Sequence, residues 1–121
     1  MSEGLDINTL EKNVKRIVSK FPFIQKAQTL LKTTHTIKMR LDVTEECFIQ
    51  IYYNIQRDNT SYVVILGGKR IYGRDCPRGN WHRHPEENPE GHDSSLEGSR
   101  KVKLEEFLLE TQEILLKKEI L

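Results

Sequence analysis

The sequence predicts an α+β domain: an antiparallel sheet of four or five strands, with an N-terminal and a C-terminal helix packed on it and a long histidine-rich loop leaving the fourth strand. Three observations predict it. Apolar residues recur at helical spacing near both ends of the chain, apolar and polar residues alternate through the middle, and the turns between the alternating runs are too short for parallel neighbours. At 121 residues the chain fits one domain, 1–121, large enough to bury a core without staples.

The elements follow in order. Leu10, Val14, Ile17, Val18 and Phe21 form the stripe of an amphipathic helix, with Asp6 or Asn8 as its cap and Pro22 near its end. Residues 24–33 fit two patterns, since Ile24, Ala27, Leu30 and Leu31 suit a helix while a short strand also accommodates them. Residues 34–43 alternate, placing His35, Ile37, Met39, Leu41 and Val43 on the apolar side of a strand. A turn at 44–46 leads into 47–56, where Cys47, Ile49, Ile51, Tyr53 and Ile55 alternate with more polar neighbours. Residues 57–60 turn again, 61–66 form a third strand, and Gly67-Gly68 is a two-residue hairpin signal into a fourth at 69–73. From Asp75 to Ser99, three prolines and three glycines break any periodicity and predict a loop. Residues 103–121 carry Leu104, Phe107, Leu108, Leu115 and Leu116, a helix able to cover one sheet face, with Lys117 and Lys118 suiting its negative end.

Composition narrows the classes. No apolar run approaches the roughly 20 residues of a membrane helix, and the N-terminus lacks the basic flank and apolar stretch of a secretion signal, so a cytoplasmic protein is expected. Cys47 and Cys76 are too few for a disulfide framework and are expected to be thiols. The net charge of +1 hides a segregation: Lys69, Arg70, Arg74, Arg78 and Arg83 lie within 67–84, whereas Glu86, Glu87, Glu90, Asp93 and Glu97 lie within 85–98. A basic block running into a reactive segment can hold a polyanion there; a solvated loop of mixed charge is the plainer alternative.

The reactive segment is Trp81-His82-Arg83-His84-Pro85, with His92 beyond it, and it holds three of the four histidines. Metal-free RNA cleavage needs one group to take the 2′-hydroxyl proton, another to protonate the departing oxygen, and cations at the phosphate. In an extended segment His82 and His84 share a face and Arg83 points away, so these histidines are the candidate base and acid. Arg74 and Arg78 are the candidate phosphate clamps, and Lys69 and Arg70 the substrate guides. Trp81 either stacks on an unpaired base or anchors the loop in the core. A metal reading uses His82, His84, His92 and Asp93, with Cys76 as a further donor, although no paired zinc spacing is present. A non-catalytic RNA-binding or partner-binding module is the runner-up reading, and a divalent-metal-dependent phosphodiesterase using that ligand set is the third.

Taken together, Tyr52-Tyr53-Asn54, the hairpin, Gly68-Lys69-Arg70-Ile71-Tyr72-Gly73, Asp75, the Trp81 to Pro85 segment, His92 and the terminal Leu104-Glu105-Glu106-Phe107-Leu108 resemble the TumE-like toxins of prokaryotic toxin-antitoxin modules. The resemblance covers most of the chain from Thr34 onward. It implies a small cytoplasmic toxin that cleaves RNA and is neutralised by a helix-turn-helix antitoxin. It also implies an active site of His82, His84 and His92 surrounded by Arg74, Asp75 and Arg83. No cofactor is expected. Apolar positions left over by two helices on a sheet suggest self-association or antitoxin capture, with Tyr52, Tyr53 and Tyr62 as a candidate contact.

Overall fold

A computed structural model describes residues 6–93 and 95–121. The chain is α+β, with six antiparallel strands in sequence order and one helix at each end. Helix α1 (Ile7–Val18) starts where the Asp6 carboxylate accepts a hydrogen bond from the Thr9 amide at 2.7 Å, and it buries Ile7, Val14 and Val18. Strands β1 (Lys26–Lys32), β2 (Thr36–Asp42), β3 (Cys47–Asn54), β4 (Asn59–Leu66) and β5 (Lys69–Cys76) follow as a meander. A 3-10 turn (Pro77–Gly79) then reverses the chain into the short β6 (His82–His84), and α2 (Leu104–Lys117) closes the fold.

Period-two alternation gives the sheet two unlike faces. Ile37, Met39, Leu41, Ile49, Ile51 and Val64 are fully buried on one face, beneath Val14, Phe107, Leu108 and Leu115 from the two helices. On the other face the cross-strand row Lys38, Tyr52, Ser61, Asp75 and His82 runs through paired positions of β2 to β6, and no helix among the described residues covers it. Gly67 and Gly68 take φ of 59° and 79°, the left-handed pair that a two-residue hairpin with the right twist requires.

Several expectations need correction. The sheet has six strands, not four or five. Residues 24–33 contain β1, an edge strand whose register shifts between Thr29 and Leu31; that irregularity leaves Leu30 and Leu31 about half exposed and scrambles the alternation. His35 is exposed in the turn before β2, where the Thr33 hydroxyl accepts from the Thr36 amide at 3.0 Å, so the alternating strand begins after it. The fourth predicted strand, β5 here, continues to Cys76, and part of the supposed loop is β6. No helix among the described residues is long and apolar enough to cross a membrane.

Candidate active site

The site is built on the uncovered face by β5 and β6. Their register sets Asp75 opposite His82 and Gly73 opposite His84. Strand alternation therefore puts both imidazoles on the open face and Arg83 on the helix side, where it pairs with Asp93. A backbone bridge between Arg83 and Asp93 folds the intervening loop back along β6, with tight turns at Pro85 to Asn88 and Asn88 to Gly91. This return brings His92 onto the other two histidines. The His82 and His92 rings stack with centroids 4.5 Å apart, and His84 meets them edge-on at 5.4 Å and 4.6 Å.

Gly73 lies beside the His84 ring. A Cβ there would lie 3.1 Å from the Tyr62 carbonyl oxygen, a tight approach to the β4 backbone, and 3.7 Å from His84 Cβ and Cδ2, an ordinary contact. The sequence pattern puts Gly73 at a strand end, and a glycine interrupting an alternating run is the local signal of a close backbone approach.

Hydrogen bonding fixes His84. Its Nδ1 faces the Pro89 carbonyl oxygen at 3.1 Å, and since a carbonyl only accepts, Nδ1 carries a proton. Its Nε2 lies 2.8 Å from Asp75 Oδ2, and the other carboxylate oxygen accepts from the Ser61 hydroxyl at 2.9 Å. A neutral imidazole has one N–H. The 2.8 Å contact with the Asp75 carboxylate therefore calls for positive charge at Nε2, which either a second ring proton or a bound metal ion supplies. His82 Nε2 is 3.7 Å from the same carboxylate oxygen. Burial lowers the pKa of His82, Asp75 works against that, and the neighbouring histidines and Arg70 reinforce it, so the ring keeps a lone pair near neutral pH. His84 is buried, His82 half-buried and His92 exposed, and one nitrogen from each falls within 4.8 Å of the others.

These groups open into a pocket of about 350 Å³ lined also by Tyr52, Ser61, Arg70 and Pro77. Arg70 is held 3.6 Å from the exposed Glu90 carboxylate and is the guanidinium at the pocket. Tyr52 supplies an aromatic face. Ser61, Tyr52 and the Pro89 carbonyl escaped the sequence reading of the site because they converge only through strand pairing and a loop return.

The other nominated residues go elsewhere. Arg74, expected as a phosphate clamp, is fully buried on the helix face, where Glu110 Oε2 accepts at 2.6 Å and the Glu97 carbonyl at 2.9 Å. Burial opposes its charge, but Glu110 more than offsets this and its pKa is raised. Arg78 is exposed on the 3-10 turn and does not line the pocket, and Lys69 sits exposed at the hairpin end. Trp81 packs against Tyr62 with ring centroids 6.1 Å apart, on the helix side, so it anchors the core and presents no face to the pocket. Asp93 faces Arg83 and not the histidines; Ser95 and then Arg83 hold its carboxyl down at about 2. Cys76 is buried on the helix face, away from any metal that the histidines would hold. Tyr53 and Tyr62 are tucked on that face with their hydroxyls 3.1 Å apart, leaving Tyr52 alone of the proposed contact tyrosines on the open side.

Comparison with protein-family models, curated proteins and solved structures found no match to this chain.

Proposed function

We propose that this chain is a toxin-like endoribonuclease of the mRNA-interferase kind, acting within a toxin-antitoxin module and cleaving RNA by histidine acid-base chemistry without an obligatory cofactor. The observation that carries the reading is the convergence of His82, His92 and the Asp75–His84 pair in one open pocket beside an arginine and a tyrosine. Phosphodiester cleavage needs a base, an acid, a cation for the phosphate and a platform for a base, and the pocket supplies each type.

In this reading the roles are divided among the pocket residues. His82 has a free lone pair and takes the 2′-hydroxyl proton as the 2′-oxygen attacks phosphorus. His92, on the exposed rim, gives a proton to the 5′-oxygen as its bond to phosphorus breaks. His84 has both ring nitrogens engaged and only 2% exposure, so it acts with Asp75 to position and polarise the pocket. Arg70 replaces Arg74 and Arg78 at the phosphate, and Tyr52 replaces Trp81 as the stacking surface. A helix-turn-helix antitoxin and a second copy of the chain are the proposed partners.

The test is incubation of purified full-length chain with single-stranded RNA in chelator. The expected products end in a 2′,3′-cyclic phosphate, and His82→Ala loses about two to four orders of magnitude in rate. RNA binding without cleavage by the parent chain would make this a binding module instead.

A further inference from the structure

The three imidazoles lie closer together than proton transfer across a phosphate requires. A base and an acid on opposite sides of an in-line phosphorus are separated by two hydrogen bonds of roughly 3 Å each, besides the entering and leaving oxygens. Here one nitrogen from each of His82, His84 and His92 falls within 4.8 Å of the others, and His82 and His92 are stacked. One small ion fits such a span better than a phosphodiester does.

We propose that His82, His84, His92 and Asp75 form a zinc site, and that Zn²⁺ bound there holds the pocket in this contracted, inactive arrangement. Tetrahedral zinc takes imidazole nitrogens and carboxylate oxygens at about 2.0–2.2 Å, which sets neighbouring donors roughly 3.3 Å apart. The Asp75 carboxylate oxygen lies 2.8 Å from His84 Nε2 and 3.7 Å from His82 Nε2, spacings that bracket this edge. The widest separation, 4.8 Å, closes by movement of the exposed His92.

Two features independent of the spacing support the assignment. The hydrogen bond from His84 Nδ1 to the Pro89 carbonyl is the outer contact that fixes a ligating histidine in the tautomer with its Nε2 lone pair free. Nε2 faces the Asp75 carboxylate, and a metal ion shared by the two would satisfy both groups with the imidazole neutral. Asp75 itself is steadied by Ser61. The set of three nitrogens and one oxygen suits zinc or cobalt, whereas magnesium and calcium favour all-oxygen shells.

The site rests on geometry alone, and the inhibitory role rests additionally on the endoribonuclease reading. The decisive experiment strips the full-length chain of metal and titrates it with Co²⁺, following the visible spectrum, with Zn²⁺ as competitor. One ion per chain with a tetrahedral spectrum is expected. His92→Ala and Asp75→Asn should each weaken uptake by at least about tenfold, with unchanged far-ultraviolet circular dichroism. Removal of the exposed His35 should change nothing. No uptake, or uptake indifferent to His92 and Asp75, overturns the site. Zn²⁺ should suppress RNA cleavage and chelator restore it; cleavage that requires Zn²⁺ would overturn the inhibitory role. Absence of cleavage under every condition, with the cobalt spectrum intact, would refute the endoribonuclease reading and the regulation together and leave the metal site standing.

Discussion

Arg74 and Asp75 are adjacent in β5 and both candidates for the same site by sequence, yet their side chains leave opposite faces of the sheet. Arg74 is fully enclosed and ion-paired with Glu110 and Glu97, joining the last helix to the sheet. Asp75 sits in the open pocket, shared among Ser61, His82 and His84. The same contrast separates Tyr52, which lines that pocket, from Tyr53, whose hydroxyl meets Tyr62 on the helix face. Charge or aromatic character alone does not assign a residue to chemistry. Which face it leaves does.

The largest expected effect is on the open face. His82→Ala should lower the RNA cleavage rate by about two to four orders of magnitude while the urea midpoint of unfolding scarcely moves. On the helix face the pattern should invert. Arg74→Ala takes the nearest cation from Glu110 and leaves a void, while Glu97 keeps Arg100, and it should cost about 1–3 kcal/mol of stability, read by urea denaturation, while the folded fraction keeps its pocket. Loss of activity in the Arg74 variant beyond its loss of folded protein would break the comparison.

Gly73→Val tests the boundary between the faces. Its side chain would press on the Tyr62 carbonyl and the His84 ring, and overpacking of this kind costs about 1–3 kcal/mol. A shifted His84 imidazole resonance should accompany the loss. Tyr52→Ala should weaken single-stranded RNA binding by about 1–3 kcal/mol, the usual worth of a stacked base, without lowering stability, whereas truncation of Tyr53 should do the reverse.

The smallest effect concerns Asp93. Its carboxyl is held at about 2, against 3.8 for an unperturbed aspartate. Because the folded value is the lower one, its contribution to stability is complete above pH 4, and it is lost as the pH falls from about 4 through 2. Urea midpoints across that range should fall less steeply in Asp93→Asn than in the parent chain. The His92 resonances should shift as the bridge to Arg83 loosens.

Residues 36–73 are readable because alternation and short turns are local properties. Each apolar run in that stretch was long enough to define a face, and Gly67-Gly68 named its own turn. Residues 24–33 resisted because a register shift in an edge strand breaks the periodicity that identifies a strand, and β6 resisted because three residues are too few to show any. Within the site, the shared face of His82 and His84 and the opposite direction of Arg83 followed from alternation once the segment was taken as extended.

By itself, then, the sequence determined the element types over most of the chain, the inward-facing residues of β2 and β3, and the segment where the histidines gather. Only the tertiary structure decided which charged groups meet them. The pairing of β5 with β4 and β6 brought Ser61, Asp75 and His82 into one row, and the loop return brought His92 and the Pro89 carbonyl onto His84. The physical reason is the range of the forces involved: backbone propensity acts over a few residues, whereas a hydrogen bond or metal ligand set joins groups that only strand register and loop closure make neighbours.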